Sequence, residues 1–274
     1  MLRLLFQHLL RDKKVNEIHK TVDIHQSALI GDNVQIGSGS VIGKDVVIKD
    51  GVSVGSNVVI QGPTIVNEEC RIFPGVVLGC EPQVLSLNQE TGDLVIGKRT
   101  VIREFVTVHR SMDYQNSTLI GEDCYLMNGV HVGHDCKISN RVIFASFSAC
   151  GGHTSIQDDV FVSAYVGFHQ FTRIGESSFI GAHSAVKKDI PPFTMIDSNP
   201  VRVRGLNVIG MKRRGISSKV RNDIKSVYKV LFNSKETLND SCVKIENDFK
   251  LNREIKIVID FVRSSERGIY QGTI

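Results

Sequence analysis

The sequence predicts a parallel β-helix followed by a small helical region, and three observations predict it. A six-residue apolar pattern repeats, with two interruptions, from residue 28 to about residue 189. Glycine, asparagine and aspartate often follow the apolar positions of each unit, as tight turns require. After Pro191-Pro192 the period of six gives way to apolar spacings of three and four, which suit helices.

The chain opens with MLRLLFQHLL, which is apolar but contains Arg3, Gln7 and His8. It is too short to span a bilayer and lacks a small-residue cleavage site. Residues 1–15 are therefore expected to form an amphipathic extension packed on the end of the domain, with a signal peptide as the alternative. The repeat follows as ALIGDN, VQIGSG, SVIGKD, VVIKDG and VSVGSN, and continues unbroken to Glu81. Each unit has a small or aliphatic residue first and Ile, Val or Leu third, an alternation that suits a short strand. No unit can bury its apolar face alone. Three strands therefore make one coil of about 18 residues, and successive coils pair their backbones at roughly 4.8 Å.

First and third positions point inward in such a coil. Cys70, Cys124 and Cys136 fall at first positions and Cys150 at a third, so they read as small core residues. The register resumes at Leu94 and again at Thr118. The interruptions, residues 82–93 and 112–117, are expected as loops projecting from a corner, where repeat proteins tend to carry binding function. The β-helix thus spans 16–192. In the helical region, 193–274, Ser217 or Ser218 can cap a helix carrying Val220, Ile224, Val227 and Leu231, and Asn252 precedes a second series, Ile255, Ile257, Val258 and Phe261. Two or three helices are expected there.

Composition narrows the class of function. The 274 residues are 41% hydrophobic and 23% charged, within the soluble range, and the absence of Trp makes any core aliphatic. A net charge of +4 is too mild to imply nucleic acid, but is compatible with a local site for phosphates or an acidic carrier. The six cysteines form no CxxC pair, which favours reduced thiols in a cytoplasmic protein.

Chemistry enters with NGVHVGHDC, residues 128–136. At about 18 residues per coil, His134, Gly152 and Gln170 share one column. Asp135 shares the next with His153 and Phe171, and His131 stacks with Ala149 and Gly167. That inventory suits acyl transfer. A neutral imidazole, His134, can take the proton of an attacking hydroxyl or amine, and Asp135 can fix its tautomer. The Gly152 amide can meet a developing oxyanion. A lone turn histidine is usually solvated and inert; here the stacking and the adjacent Asp135 argue otherwise. A metal site built from His131, His134 and His153, as in proteins resembling gamma-class carbonic anhydrases, is the rival chemistry, and a non-catalytic β-helix scaffold is the rival class.

Six blocks resemble the UDP-N-acetylglucosamine acyltransferase family of lipid A biosynthesis: IREFVTVHR (residues 102–110), NGVHVGHDC, GGH (151–153), HQF (169–171), DIPPF (189–193) and GLNVIGMKRRG (205–215). The resemblance implies a left-handed coil, an exception to the usual crossover rule, and a homotrimer with sites between neighbouring subunits. It implies no tightly bound cofactor. The acyl donor would be a phosphopantetheine thioester, on acyl carrier protein or CoA, and the acceptor a nucleotide sugar. His134 matches the general base, Asp135 its partner and Gly152 the oxyanion donor. Gln170, His153 and His169 match groups lining the thioester and acyl site, and His131 a sugar contact. Ala182 and His183 match the end of the acyl tunnel. Asn207, Arg213 and Arg214 match residues near the nucleotide and the pantetheine carrier. Two departures cluster in the acceptor half: Val84-Leu85-Ser86-Leu87 stands where the family usually has Asp-Leu-Lys-Tyr, and Asn207-Val208-Ile209 stands for Asn-x-Glu. A changed acceptor, such as an amino sugar acylated on nitrogen, would be consistent with both.

Overall fold

The computed structural model describes residues 15–85, 90–197, 200–233, 236–272 and 274. All of the expected N-terminal extension but Val15 lies outside them. Short strands stack into three sheets of eleven, nine and eight strands among the described residues, ordered so that every third strand along the chain is a neighbour, apart from the last two strands of the eleven-stranded sheet. Such an order is a coil of three strands per turn, and the repeated strands pair in parallel. His131 pairs with Ala149 and Ala149 with Gly167, which is the expected interval of 18 residues. The loops change that interval locally: Arg71 pairs with Val101 and Val101 with Tyr125.

Inward positions carry Val, Ile and Leu down the whole axis, with Phe144 and Phe168 each filling a layer. Burial of each such side chain contributes about 1.5–3 kcal/mol. Cys70, Cys124, Cys136 and Cys150 are buried as expected, and burial pushes the Cys70 and Cys136 thiols up to about 12.

Every sixth residue at the corners has positive φ. One column holds Asn33, Asp123 and Asp159, types that tolerate the left-handed region, together with Glu69, Arg99 and Arg141, which tolerate it less well. Bulky residues hold the same conformation elsewhere, where it is costly. Stacking offsets that cost. Phe147, Tyr165 and His183 form one ladder with centroids 5.5 and 5.1 Å apart, and His153 and Phe171 stack at 4.4 Å.

The region after Pro192 differs from expectation. It begins with two strands, Thr194–Asp197 and Arg202–Leu206, which extend the eleven-stranded sheet before any helix forms. Among the described residues four helices follow rather than two or three: α1 (Val208–Arg213), α2 (Ser218–Asn233), α3 (Leu238–Asp248) and α4 (Arg253–Arg263). The Ser217 hydroxyl accepts from the Val220 amide, and Asn252 caps α4 as its sequence suggests. Helix α3, capped by Thr237, has only Ser241, Cys242 and Ile245 buried, too weak a stripe to stand out in the sequence. The helices pack on the last coils through Phe193, and the Tyr228 hydroxyl donates to the Pro192 carbonyl at 2.6 Å. Among the described residues no helix is long and apolar enough to cross a membrane.

Candidate active site

The strand His131–Val132 ends in the turn Gly133-His134-Asp135-Cys136, and the left-handed φ of Asp135 turns its carboxylate back toward its neighbour. His134 Nδ1 lies 2.7 Å from Asp135 Oδ2. The Ser111 hydroxyl donates to Asp135 Oδ1, and the Met112 amide donates to Oδ2 at 3.2 Å. The Asp135 amide donates to Thr118 Oγ1 at 2.8 Å, which fixes the turn. Burial alone would push this carboxyl up. Hydrogen bonds from Ser111, His134 and the Met112 amide, with the nearby His153, outweigh burial and hold it below the usual carboxylate range. An ionised Asp135 assigns the proton of neutral His134 to Nδ1, leaving Nε2 as the acceptor.

Nε2 faces Gly152 on the next coil. A Cβ at residue 152 would come within 2.6 Å of His134 Cε1 and Nε2, so only glycine admits the ring in this position. The Gly152 amide has no hydrogen-bond acceptor among the described residues. Turns of another corner differ at this position. There the amides of Asp32, Glu122 and Asn140 each donate to a side chain 18 residues on, Asp50, Asn140 and Asp158. Gln170 occupies the corresponding place and leaves the Gly152 amide open. His134, Gly152 and Gln170, with His131, His109 and Gln83, line one cavity of about 370 Å³.

The other expected site residues divide into three groups. His131 is in the cavity wall, with Nδ1 2.9 Å from Thr107 Oγ1 and its ring centroid 5.3 Å from that of His109. Burial, and then His109, push its pKa down, so it is neutral near pH 7. His153 stands beside the cavity, edge-on to His134 at 5.2 Å, and burial lowers its pKa against the opposing pull of Asp135. His169 is exposed and turned away, with Nδ1 3.3 Å from Arg267 Nη2. Ala182 and His183 are exposed at a different corner, where His183 stacks on Tyr165.

Asn207, Arg213 and Arg214 border a second cavity of about 540 Å³, floored by Phe161, Phe179 and Met195. The two arginines have different roles. Arg214 is held by Asp159 at 3.0 Å, Glu176 at 2.5 Å and the Ser177 hydroxyl at 2.7 Å. Arg213 is exposed and has no ion pair among the described residues. Asn207 caps α1 through Oδ1 and donates from Nδ2 to the Ser177 carbonyl.

The three histidines of the metal alternative do not converge. His131, one of its three ligands, is bonded to Thr107, and the donors that converge within 4.8 Å are instead those of His134, Asp135 and His153. Two of these are already joined by the short His134–Asp135 hydrogen bond, an arrangement suited to proton transfer.

Sequence reasoning missed His109, Gln83 and Ser111. His109 lies in the IREFVTVHR block, and its Nδ1 is 2.6 Å from the Glu81 carbonyl. Ser111 stands one coil before Asp135 but 24 residues away, because residues 112–117 lengthen that coil. A fixed interval of 18 passes over both.

Residues 189–270 match the family described as Udp N-acetylglucosamine O-acyltransferase, domain 2, and residues 27–62 and 117–152 match the bacterial transferase hexapeptide (six repeats) family. The acyl-[acyl-carrier-protein]--UDP-N-acetylglucosamine O-acyltransferase of Thermodesulfovibrio yellowstonii is 39% identical over 268 residues, covering 93% of this chain and 99% of that one. The chain belongs to the UDP-N-acetylglucosamine acyltransferase family. Solved members superpose closely. The Bacteroides fragilis enzyme has a TM-score of 0.88 at 35% identity, covering 92% of this chain and 98% of its own. The Francisella novicida enzyme also has a TM-score of 0.88, at 32% identity and with 93% and 94% covered. The departures from the family pattern can now be placed. Val84 is half-buried, Leu85 is fully exposed, and Ser86 and Leu87 lie outside the described residues. Ile209, 67% exposed, is on the rim of the second cavity beside Arg213.

Proposed function

We propose that this acyltransferase moves an acyl or 3-hydroxyacyl group from the phosphopantetheine thioester of acyl carrier protein to a hydroxyl of UDP-N-acetylglucosamine. The relatives' names support both substrates. The observation that carries the chemistry is the convergence of His134, Gly152 and Gln170 on one cavity. In this mechanism His134 Nε2 takes the proton of the acceptor as its oxygen attacks the thioester carbonyl. Asp135 stabilises the resulting imidazolium, and the open Gly152 amide receives the oxyanion. Collapse of the tetrahedral intermediate breaks the carbon–sulfur bond, and the proton passes from His134 to the leaving thiolate. No acyl-enzyme forms. Gln170, His131 and His153 position the substrates, and neither a metal nor a tightly bound cofactor takes part.

The coil is read as left-handed and the assembly as a homotrimer. Within a single chain His183 stacks on Tyr165, with Ala182 beside it, and neither lines the first cavity. They can end an acyl tunnel only at a neighbour's site. Arg213 at the second cavity suits a phosphate, whereas Arg214 serves the fold. The free thiols fit work in the reducing cytoplasm.

A second reading, N-acylation of a nucleotide-linked amino sugar, is favoured by Val84 and Ile209, which remove acids from the acceptor side. Mass spectrometry of reactions between a panel of acyl carrier protein and CoA thioesters and UDP- or dTDP-linked hexoses decides between the two. An ester of UDP-N-acetylglucosamine supports the first reading, and an amide formed only with an amino sugar supports the second. No product from any pair would leave the scaffold alternative.

A further inference from the structure

Ser111 is fully buried, and its hydroxyl meets the Asp135 carboxylate from the side opposite the imidazole. We infer that Ser111 is a positioning residue for the catalytic base, holding Asp135 Oδ1 so that Oδ2 stays aimed at His134. This inference rests on the role proposed above for His134 and Asp135.

The second corner loop is built to present that hydroxyl. The Asp113 amide donates to Ser111 Oγ at 3.1 Å, and the hydroxyl has two acceptors in reach, the Asp113 carbonyl at 3.0 Å and Asp135 Oδ1; the shorter contact and the carboxylate charge direct its one proton to Asp135. The Ser111 amide donates to the Asp93 carbonyl, and the Gly92 amide to the Ser111 carbonyl, which tie the end of the first corner loop to the second. Ser111 is thus fixed at backbone and side chain. Without it, Oδ1 would be left in a buried place with one donor fewer. The titratable groups facing this carboxylate are His134 from its own turn and His153 from the next coil. The Asp113 carboxylate is occupied by the Gln115 amide and by Asn116, and Lys137 by the Ser117 carbonyl.

The sign of the effect follows from charge sharing. A donor at Oδ1 draws negative charge away from Oδ2. Removing it makes Oδ2 a stronger acceptor and favours the imidazolium form of its partner. Ser111→Ala should therefore move the acidic limb of the kcat/KM profile to higher pH. It should also lower plateau kcat about 10-fold, with KM for donor and acceptor changed less than about 2-fold.

The test is a double-mutant cycle of Ser111→Ala and Asp135→Asn in the full-length protein. Each variant is checked by circular dichroism and thermal unfolding, and each is assayed from pH 5 to 9. The expected result is a shifted limb for Ser111→Ala, recovery toward the original limb for Ser111→Thr, and no further loss when Ser111→Ala is added to Asp135→Asn. A folded Ser111→Ala enzyme with unchanged kcat and limb would overturn the inference while leaving His134 and Asp135 in place, provided Asp135→Asn is impaired. Additive losses would also overturn it, since they would make Ser111 merely structural. Full activity of Asp135→Asn would overturn both this inference and the reading beneath it.

Discussion

The His134 imidazole and Gly152 occupy each other's space: with any side chain at 152, Cβ would fall 2.6 Å from Nε2. The same contact brings the proposed proton acceptor beside an amide that has no partner among the described residues. Gly152→Ala should therefore push the ring out of line with Asp135 and cover the oxyanion position. Acyl transfer should fall at least about 100-fold, as on loss of an oxyanion-hole donor. His134 retains some exposure and room to move, so thermal unfolding should shift by only a few degrees. Steady-state kinetics and calorimetry on the same preparation check both parts.

Arg213 and Arg214 are adjacent in sequence and should separate by experiment. Arg214→Ala removes one of two guanidinium groups from the buried Glu176 carboxylate, leaving Arg253. Breaking such a pair should cost roughly 2–4 kcal/mol of stability, measurable in urea. Arg213→Ala should leave the unfolding midpoint unchanged and raise KM for the nucleotide sugar about 5- to 10-fold, the loss of one exposed charge-assisted contact.

Acid should destabilise the protein through His131 and His153. Both have folded-state pKa values below the ordinary 6.5, mainly through burial. The unfolded chain therefore binds more protons between the folded and unfolded values, and stability falls as pH drops below about 6.5. Asp135, held low, remains ionised across that window and contributes nothing to the slope until pH falls below the carboxylate range. Unfolding midpoints measured from pH 8 to pH 5 should decline below about 6.5, and His131→Gln should flatten the decline.

Much of this was legible in the sequence because a solenoid converts spacing into proximity. His131, Ala149 and Gly167 pair as an interval of 18 requires, and His134 meets Gly152 for the same reason. The arithmetic failed where the coil length changed. Ser111 and His109 precede the six-residue loop, so no fixed count reaches Asp135 or His131 from them. Proximity along a column also says nothing of direction, and His169, two residues from Phe171, turns to Arg267 instead. Nor does residue type disclose prior engagement: Arg213 and Arg214 read alike until Asp159 and Glu176 are seen to hold the second. Helix α3 was lost for want of a continuous apolar face.

The central claim, that a base at residue 134 drives direct transfer at this corner, is tested most directly by the turnover of His134→Ala. Acyl transfer should fall about 10²- to 10⁴-fold at pH 7.5, with near-native unfolding and little change in KM for the acyl donor. A folded His134→Ala protein that turns over at the wild-type rate would contradict the account.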